Sequence, residues 1–120
     1  NEPIAIYGDG KQTRCFAHIY DVVEGLVKVA FSEKTVGQVV NIGNNGEISI
    51  LDLAKRVLEL TNSKSQIKYV DYQEAYGDGF EDMDRRVPNV ELIKELTGLS
   101  PTRNLDQIIT DVAEFQRNYL

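Results

Sequence analysis

The 120-residue sequence has no tryptophan, one histidine, one cysteine, one methionine and three prolines. A single cysteine, Cys15, excludes an internal disulfide, and a single histidine, His18, leaves no Cys/His set for zinc. No apolar run approaches the roughly 20 residues that a membrane-spanning helix needs, and the start lacks the basic-then-apolar pattern of a secretion signal. Basic residues are in deficit, with 13 Lys and Arg against 19 Asp and Glu for a formal charge of -6. That balance argues against a broadly cationic face for nucleic acid or membrane, so any anion site has to be local. One unpaired cysteine fits a reducing, cytoplasmic setting.

With 42% hydrophobic residues the chain can bury one modest core, so residues 1–120 are expected to form a single unit. It opens at Asn1 without methionine and reaches a strand-like run by Ile4, which suggests a piece cut from a longer protein.

Ile4-Ala-Ile-Tyr7 is short, apolar and bounded by Pro3 and Gly8, which predicts a strand turned by Gly8-Asp-Gly10. Residues 13–19 alternate loosely. Asp21 is a plausible N-cap for a helix carrying Val22, Val23, Leu26, Val27, Ala30 and Phe31 and ending near Ser32. The β-branched run from Val39 to Gly43 predicts a buried strand, and Asn44-Asn-Gly46 turns it. Ser49 and Asp52 resemble a capping box before an amphipathic helix to about Leu60, and Gln66 to Val70 is a further strand.

From Asp71 to Arg86 the chain is polar, glycine-bearing and irregular, the kind of long loop that more often carries function than not. Asn89 can cap a helix with Leu92, Ile93 and Leu96 facing inward and Gly98 as its stop. Asn104 and Gln107 cap a last helix striped with Leu105, Ile108, Ile109, Val112, Phe115 and Tyr119. The expected class is α/β, with about four helices and three or four short strands.

Several motifs fail on inspection. Gly8-x-Gly10 follows a strand, but Thr13 stands where a dinucleotide fingerprint needs its third glycine, and a strand rather than a helix comes next. Gly10-Lys-Gln-Thr13 lacks the other features of a P-loop. Asp78, Phe80 and Asp82 mimic a calcium loop until Met83 takes the place of its glycine. Arg14 is more informative: a guanidinium offers a planar fork of donors to a phosphate or carboxylate, with Gln12 beside it. The competing reading is a structural ion pair with one of the 19 acids. Arg85 and Arg86 close the long loop, in which Tyr76 and Phe80 could stack on a base or sugar. His18 reads as a packed or hydrogen-bonded histidine, Tyr20, Tyr69 and Tyr72 as packing residues, and Cys15 as a small core residue.

Tyr7-Gly-Asp-Gly-Lys-Gln-Thr-Arg14, then Phe16, His18 and Asp21, then Asn41-Ile-Gly-Asn44, then Arg86-Val-Pro88 together resemble successive landmarks of a known family. They are similar to the C-terminal, substrate-binding portion of the extended short-chain dehydrogenases/reductases, the NAD-dependent nucleotide-sugar epimerases, dehydratases and decarboxylases. The closing Leu-Thr-Gly-Leu-Ser-Pro-Thr also resembles that family, with Leu99 in place of its tryptophan. The resemblance implies a C-terminal fragment of an extended Rossmann-type enzyme whose segment from Ala5 to Arg14 wraps the nucleoside diphosphate of the substrate. It makes Tyr7, Gln12, Arg14, Phe80 and Arg86 the substrate-binding residues, with Arg14 on the phosphates. Arg86 matches a position assigned a proton-donor role in glucuronate decarboxylases, hence a possible catalytic accessory.

The family's glycine-rich NAD loop and Tyr-x-x-x-Lys pair have no counterpart here; Tyr7 and Lys11 are separated by a glycine turn and cannot share a helix face. NAD would therefore be held by a missing N-terminal Rossmann part, and this chain by itself would be inactive. The implied function is the UDP- or dTDP-sugar-binding part of such an enzyme, a UDP-sugar 4-epimerase first, with a UDP-glucuronate decarboxylase or dTDP-sugar 4,6-dehydratase as alternatives. A non-catalytic binding or assembly module is the reading from another class. No metal is implied, and a homo-oligomer is expected, as is self-association of the fragment through the apolar edge of Val39 to Ile42.

Overall fold

The computed structural model describes residues 2–72 and 82–119. In chain order the elements are β1 (Ile4–Tyr7), β2 (Thr13–Cys15), α1 (Ile19–Ala30), a 3-10 turn (Glu33–Thr35), β3 (Glu47–Ser49), α2 (Ile50–Thr61), β4 (Ile67–Val70), α3 (Glu91–Thr97) and α4 (Leu105–Tyr119). This is the expected α/β class.

β1 and β4 pair in parallel, from Ile4 opposite Ile67 to Tyr7 opposite Val70, and α2 belongs to the crossover between them. Parallel strands need such a connection, and it places α2 against the face of β1 that carries Ile6, which is 1% exposed. β2 and β3 pair antiparallel, from Thr13 opposite Ser49 to Cys15 opposite Glu47. Ser49 ends β3 and also caps α2: its Oγ accepts from the Asp52 N–H at 3.0 Å. The two strand pairs are thus joined through one helix start.

α4 is begun by a reciprocal cap, with the Asn104 N–H donating to Gln107 and the Gln107 N–H to Asn104, both at 2.9 Å. It packs on α2, and Arg56 of α2 clasps both oxygens of Asp106, Nε to Oδ1 at 2.7 Å. That contact, with Glu59 beside it, raises the Arg56 guanidinium and holds the Asp106 carboxyl below its ordinary value. Gly98 ends α3 in the left-handed region at φ 70°, as its place after Thr97 predicts.

The structure departs from the sequence expectations at three places. Asp21 is not the cap of α1: His18 is, its Nδ1 accepting from the Tyr20 N–H at 3.1 Å. That lone pair leaves the proton on Nε2, which donates to Asp111 of α4 at 3.0 Å. Asp21 instead sits 5% exposed within the first turn and accepts from the Thr102 hydroxyl at 2.8 Å, the Arg103 guanidinium at 2.8 Å and both of their backbone N–H groups.

Residues 39–43 form no strand. None of the described strands pairs with them, and without a partner edge a β-branched run cannot satisfy its backbone groups in a ladder. Val39 stands 91% exposed, while Ile42 lies over Gly25 of α1, so closely that a Cβ on Gly25 would fall 2.8 Å from the Ile42 Cγ2. β3, which lacks a long apolar signature, takes its place as the missed strand. Leu92 points only partly inward, and Ile93 takes the buried position of α3.

The result is open. A 120-residue chain packed as a sphere-like domain has a radius of gyration of about 14 Å, and this one has 17.2 Å. Along α1 the polar Asp21 and the small Gly25 are buried, whereas Ile19, Tyr20, Val23, Leu26, Val27 and Phe31 are exposed.

Burial pushes the Asp21 carboxyl up, and the bonds from Thr102 and Arg103 outweigh it, so the group lies below its ordinary 3.8. Its stabilisation is then complete above that value and disappears as pH falls through the lower folded value. Asp21→Asn should cost about 1.5–3 kcal/mol in urea unfolding at about pH 7, and the gap to wild type should hold to about pH 5 and close below about pH 4. Equal stability of the two proteins near neutrality would refute the assignment.

Candidate functional site

Alternation along β1 sends Ile4 and Ile6 toward α2, and Ala5 and Tyr7 to the opposite face. Gly8 and Gly10 then reverse the chain with φ of 71° and 73°, a region that favours glycine. The returning loop carries the start of α2: the Ile50 N–H donates to the Gln12 carbonyl and the Leu51 N–H to the Gly10 carbonyl, both at 3.0 Å. Gln12 spans the reversal, its Nε2 donating to the Tyr7 carbonyl at 3.1 Å and to the Tyr72 hydroxyl at 2.8 Å.

Residues 82–86 lie along the free edge of β2. The Thr13 N–H donates to the Asp84 carbonyl at 2.8 Å, and Thr13 and Arg85 form a parallel bridge. Glu47 on β3 takes both arms of Arg85 at 2.9 Å and the Thr13 hydroxyl. The Arg85 contact, followed by the Thr13 bond, lowers the Glu47 carboxyl, and Arg85 is correspondingly raised.

This strap delivers Asp82 to Arg14. The Arg14 Nη2 donates to the Asp82 Oδ1 at 2.6 Å, and its Nη1 to the carbonyls of Thr13 at 2.7 Å and Met83 at 2.8 Å. Tyr72 closes the circle with a long contact of 3.5 Å to the Asp82 Oδ2. Burial, then the Asp82 charge, push the Tyr72 phenol up, which keeps it a proton donor near neutrality. Tyr7, Gln12, Arg14, Ile50, Tyr72 and Asp82 line a cavity of about 410 Å³. Arg14 also forms part of the wall of a second, about 540 Å³, whose lining includes Phe16, Asn41, Asn44 and Arg86.

Four of the five sequence-selected residues are therefore placed on these two cavities. Tyr7, Gln12 and Arg14 share the first, and Arg86 joins Arg14 on the second. Arg86 is exposed and has no ion-pair partner among the described residues. Phe80, like Tyr76, lies outside the described residues. Asp82 and Tyr72 are the polar residues of the first cavity that sequence reasoning did not select: one lay in the long polar loop, the other read as packing. No pattern spaced 60 or 70 residues apart in a loop brings them to Gln12 and Arg14. His18 has the hydrogen-bonded role expected of it.

The Gly8-x-Gly10 turn does not fit a dinucleotide. It leads into β2 instead of a helix, and the space above Gly8 is filled by the Tyr72 ring, which would lie 2.4 Å from a Cβ there. Among the described residues no group of His, Cys, Asp and Glu could hold a metal ion, and no helix is long and apolar enough to cross a membrane.

The α/β arrangement is that of Rossmann-like epimerases and dehydratases. Pal from Bacillus thuringiensis matches it with a TM-score of 0.86, at 27% identity over 100% of this chain and 36% of that chain. A UDP-glucuronic acid 4-epimerase from Bacillus cereus, in complex with UDP-glucuronic acid and NAD, matches with a TM-score of 0.84, at 24% identity over 98% and 36%. Residues 1–112 match the family model described as GDP-mannose 4,6 dehydratase. The chain belongs to that family, within the NAD-dependent extended short-chain dehydrogenases/reductases that act on nucleotide sugars. The UDP-N-acetyl-alpha-D-glucosaminuronate decarboxylase of Bacillus cytotoxicus is 36% identical over 97% of this chain and 36% of its own length. UDP-glucuronic acid decarboxylase 2 of Arabidopsis thaliana is 40% identical over 88% of this chain and 22% of its own. The chain thus spans about a third or less of the curated relatives it matches.

Cys15 provides a probe of the strap. Burial, then the Glu47 charge, push its thiol up, against an opposing pull from Arg85. Since the thiolate is the reactive form, Glu47→Gln should speed alkylation by iodoacetamide several-fold at about pH 8. An unchanged rate would mean that Glu47 does not govern the electrostatics beside β2.

Proposed function

We propose that this chain is the substrate-binding portion of an enzyme acting on a UDP-linked uronic acid, with decarboxylation as its reaction. The carrying observation is that two guanidinium groups, Arg14 and Arg86, face one cavity in a protein of net charge -6. A nucleoside diphosphate calls for one cationic fork, and a sugar carboxylate for another. Arg14 would take the diphosphate and Arg86 the carboxylate end, with Gln12 and Tyr7 beside the nucleotide and Phe80 as a further contact. Decarboxylation is preferred to the 4-epimerisation expected from sequence because the curated relatives at 36% and 40% identity are named as decarboxylases of UDP-linked uronic acids.

On this reading residues 1–120 form a single substrate-side unit, and NAD is held by other parts of the complete protein. The cofactor supplies hydride exchange at the sugar; this chain orients the substrate, converting remote binding free energy into alignment of the reacting centre. The exposed apolar face of α1, together with Val39, suits burial against the remainder of that protein or a second subunit.

In the complete protein, Arg14→Ala should weaken UDP-glucuronic acid binding by about 1.5–3 kcal/mol in calorimetry, the range for a hydrogen bond to a charged group. Arg86→Ala should weaken UDP-glucuronic acid more than UDP, because only the former carries the uronate. Unchanged binding of UDP-glucuronic acid by a folded Arg14→Ala protein would overturn the proposal.

A further inference from the structure

The anion fork of Arg14 already holds an anion. Asp82 lies 2.6 Å from its Nη2, and both side chains line the same cavity, Arg14 20% and Asp82 33% exposed rather than sealed in a core. The carboxylate is held by three kinds of partner: the guanidinium, its neighbour's Met83 N–H at 2.8 Å onto the same Oδ1, and the more distant Tyr72 hydroxyl. Two of these partners remain if Arg14 turns to another anion, so Asp82 can release the guanidinium without being left unsatisfied. Arg14 in turn keeps a fixed position, because its Nη1 is anchored on the carbonyls of Thr13 and Met83.

We infer that Asp82 is a resident competitor for the phosphate seat on Arg14, exchanged for the diphosphate when substrate enters, and that it determines how strongly charged an anion must be to bind there. This rests on the assignment of Arg14 to the phosphates. The physical basis is simple: a single carboxylate balances one guanidinium, so an incoming anion gains only the excess of its own attraction over that of Asp82. A diphosphate has that excess, and a neutral nucleoside gains nothing from the exchange. After exchange the displaced carboxylate remains beside the diphosphate and repels it. Removing its charge while keeping its shape, as asparagine does, removes both the competition and the repulsion.

The test is calorimetry on the complete protein with UDP and uridine, for wild type, Asp82→Asn, Arg14→Ala and the double variant. Asp82→Asn is expected to tighten UDP binding by about fivefold at low salt, the size of one unit charge acting at about 4 Å in a watery site, and to leave uridine unchanged. The gain should shrink as salt is raised, and shrink again in the Arg14→Ala background, where the competition is gone and only the repulsion is left to remove. Failure of the inference is distinct from failure of its premise. If Arg14→Ala weakens UDP binding but Asp82→Asn brings no gain, or shifts uridine equally, Asp82 is no competitor and the inference falls while the phosphate role of Arg14 stands. If Arg14→Ala leaves UDP binding unchanged, both fall. Should Asp82→Asn not fold, the ¹³C resonance of the Asp82 carboxyl in wild type decides: saturation with UDP should shift it and saturation with uridine should not, and no shift with UDP overturns the exchange.

Discussion

The site depends on the short strand β2 being hydrogen-bonded on both edges. One edge pairs with β3 and the other accepts residues 84–85, so three residues of strand fix three separate things. β3 runs directly into the cap of α2, which sets that helix against β1. The strap on the other edge sets Asp82 and Arg86 relative to Arg14. Backbone hydrogen bonds have tight geometry and little freedom, which is why so short an element can carry side chains from positions some 70 residues apart in the sequence.

Electrostatics works locally in this chain. Acidic residues outnumber basic ones, and several of the basic ones are committed: Arg56 to Asp106, Arg85 to Glu47, Arg103 to Asp21. These pairs act as clips between elements, α2 to α4, strap to β3, and α1 to the segment before α4. Against that background the two arginines on the cavities differ. Arg14 is engaged yet accessible, and Arg86 has no ionic partner among the described residues. A site for a multiply charged anion can exist in an acidic protein because screening confines each charge's influence to about 10 Å, so the few cations nearest the cavity outweigh the net charge.

The apolar side of the molecule completes the picture. The hydrophobic residues buried among those described are Ile6, Ala54, Ile93, Leu99 and Ile109, spread over separate helix and strand junctions. α1 shows its broadest apolar face to solvent and buries its carboxylate and its glycine. A helix so arranged is anchored at its N-terminal end, through His18 and Asp21, and along Gly25, and its apolar face remains available for another surface.

Much of the local structure was legible in the sequence. Strand β1, its glycine turn, the Ser49 and Asn104 caps and the Gly98 stop each follow from residues within a few positions of one another, and each is where that chemistry predicts. Arg14 and Gln12 also stood out by residue type and spacing, and the order of landmarks pointed to the family. The errors arose where a distant partner decided. Asp21 has the chemistry of a cap, but Thr102 and Arg103 claim its oxygens, and His18 takes the cap position. Val39 to Gly43 has the composition of a strand, but no strand edge lies beside it among the described residues. By itself the sequence determined which segments turn, coil or extend, because those preferences are set by neighbouring atoms. Only the tertiary structure decided that Arg14 meets Asp82, that Tyr72 closes the first cavity and that Arg86 shares the wall of the second with Arg14, because the first and third need the strap on β2 and the other the pairing of β4 with β1.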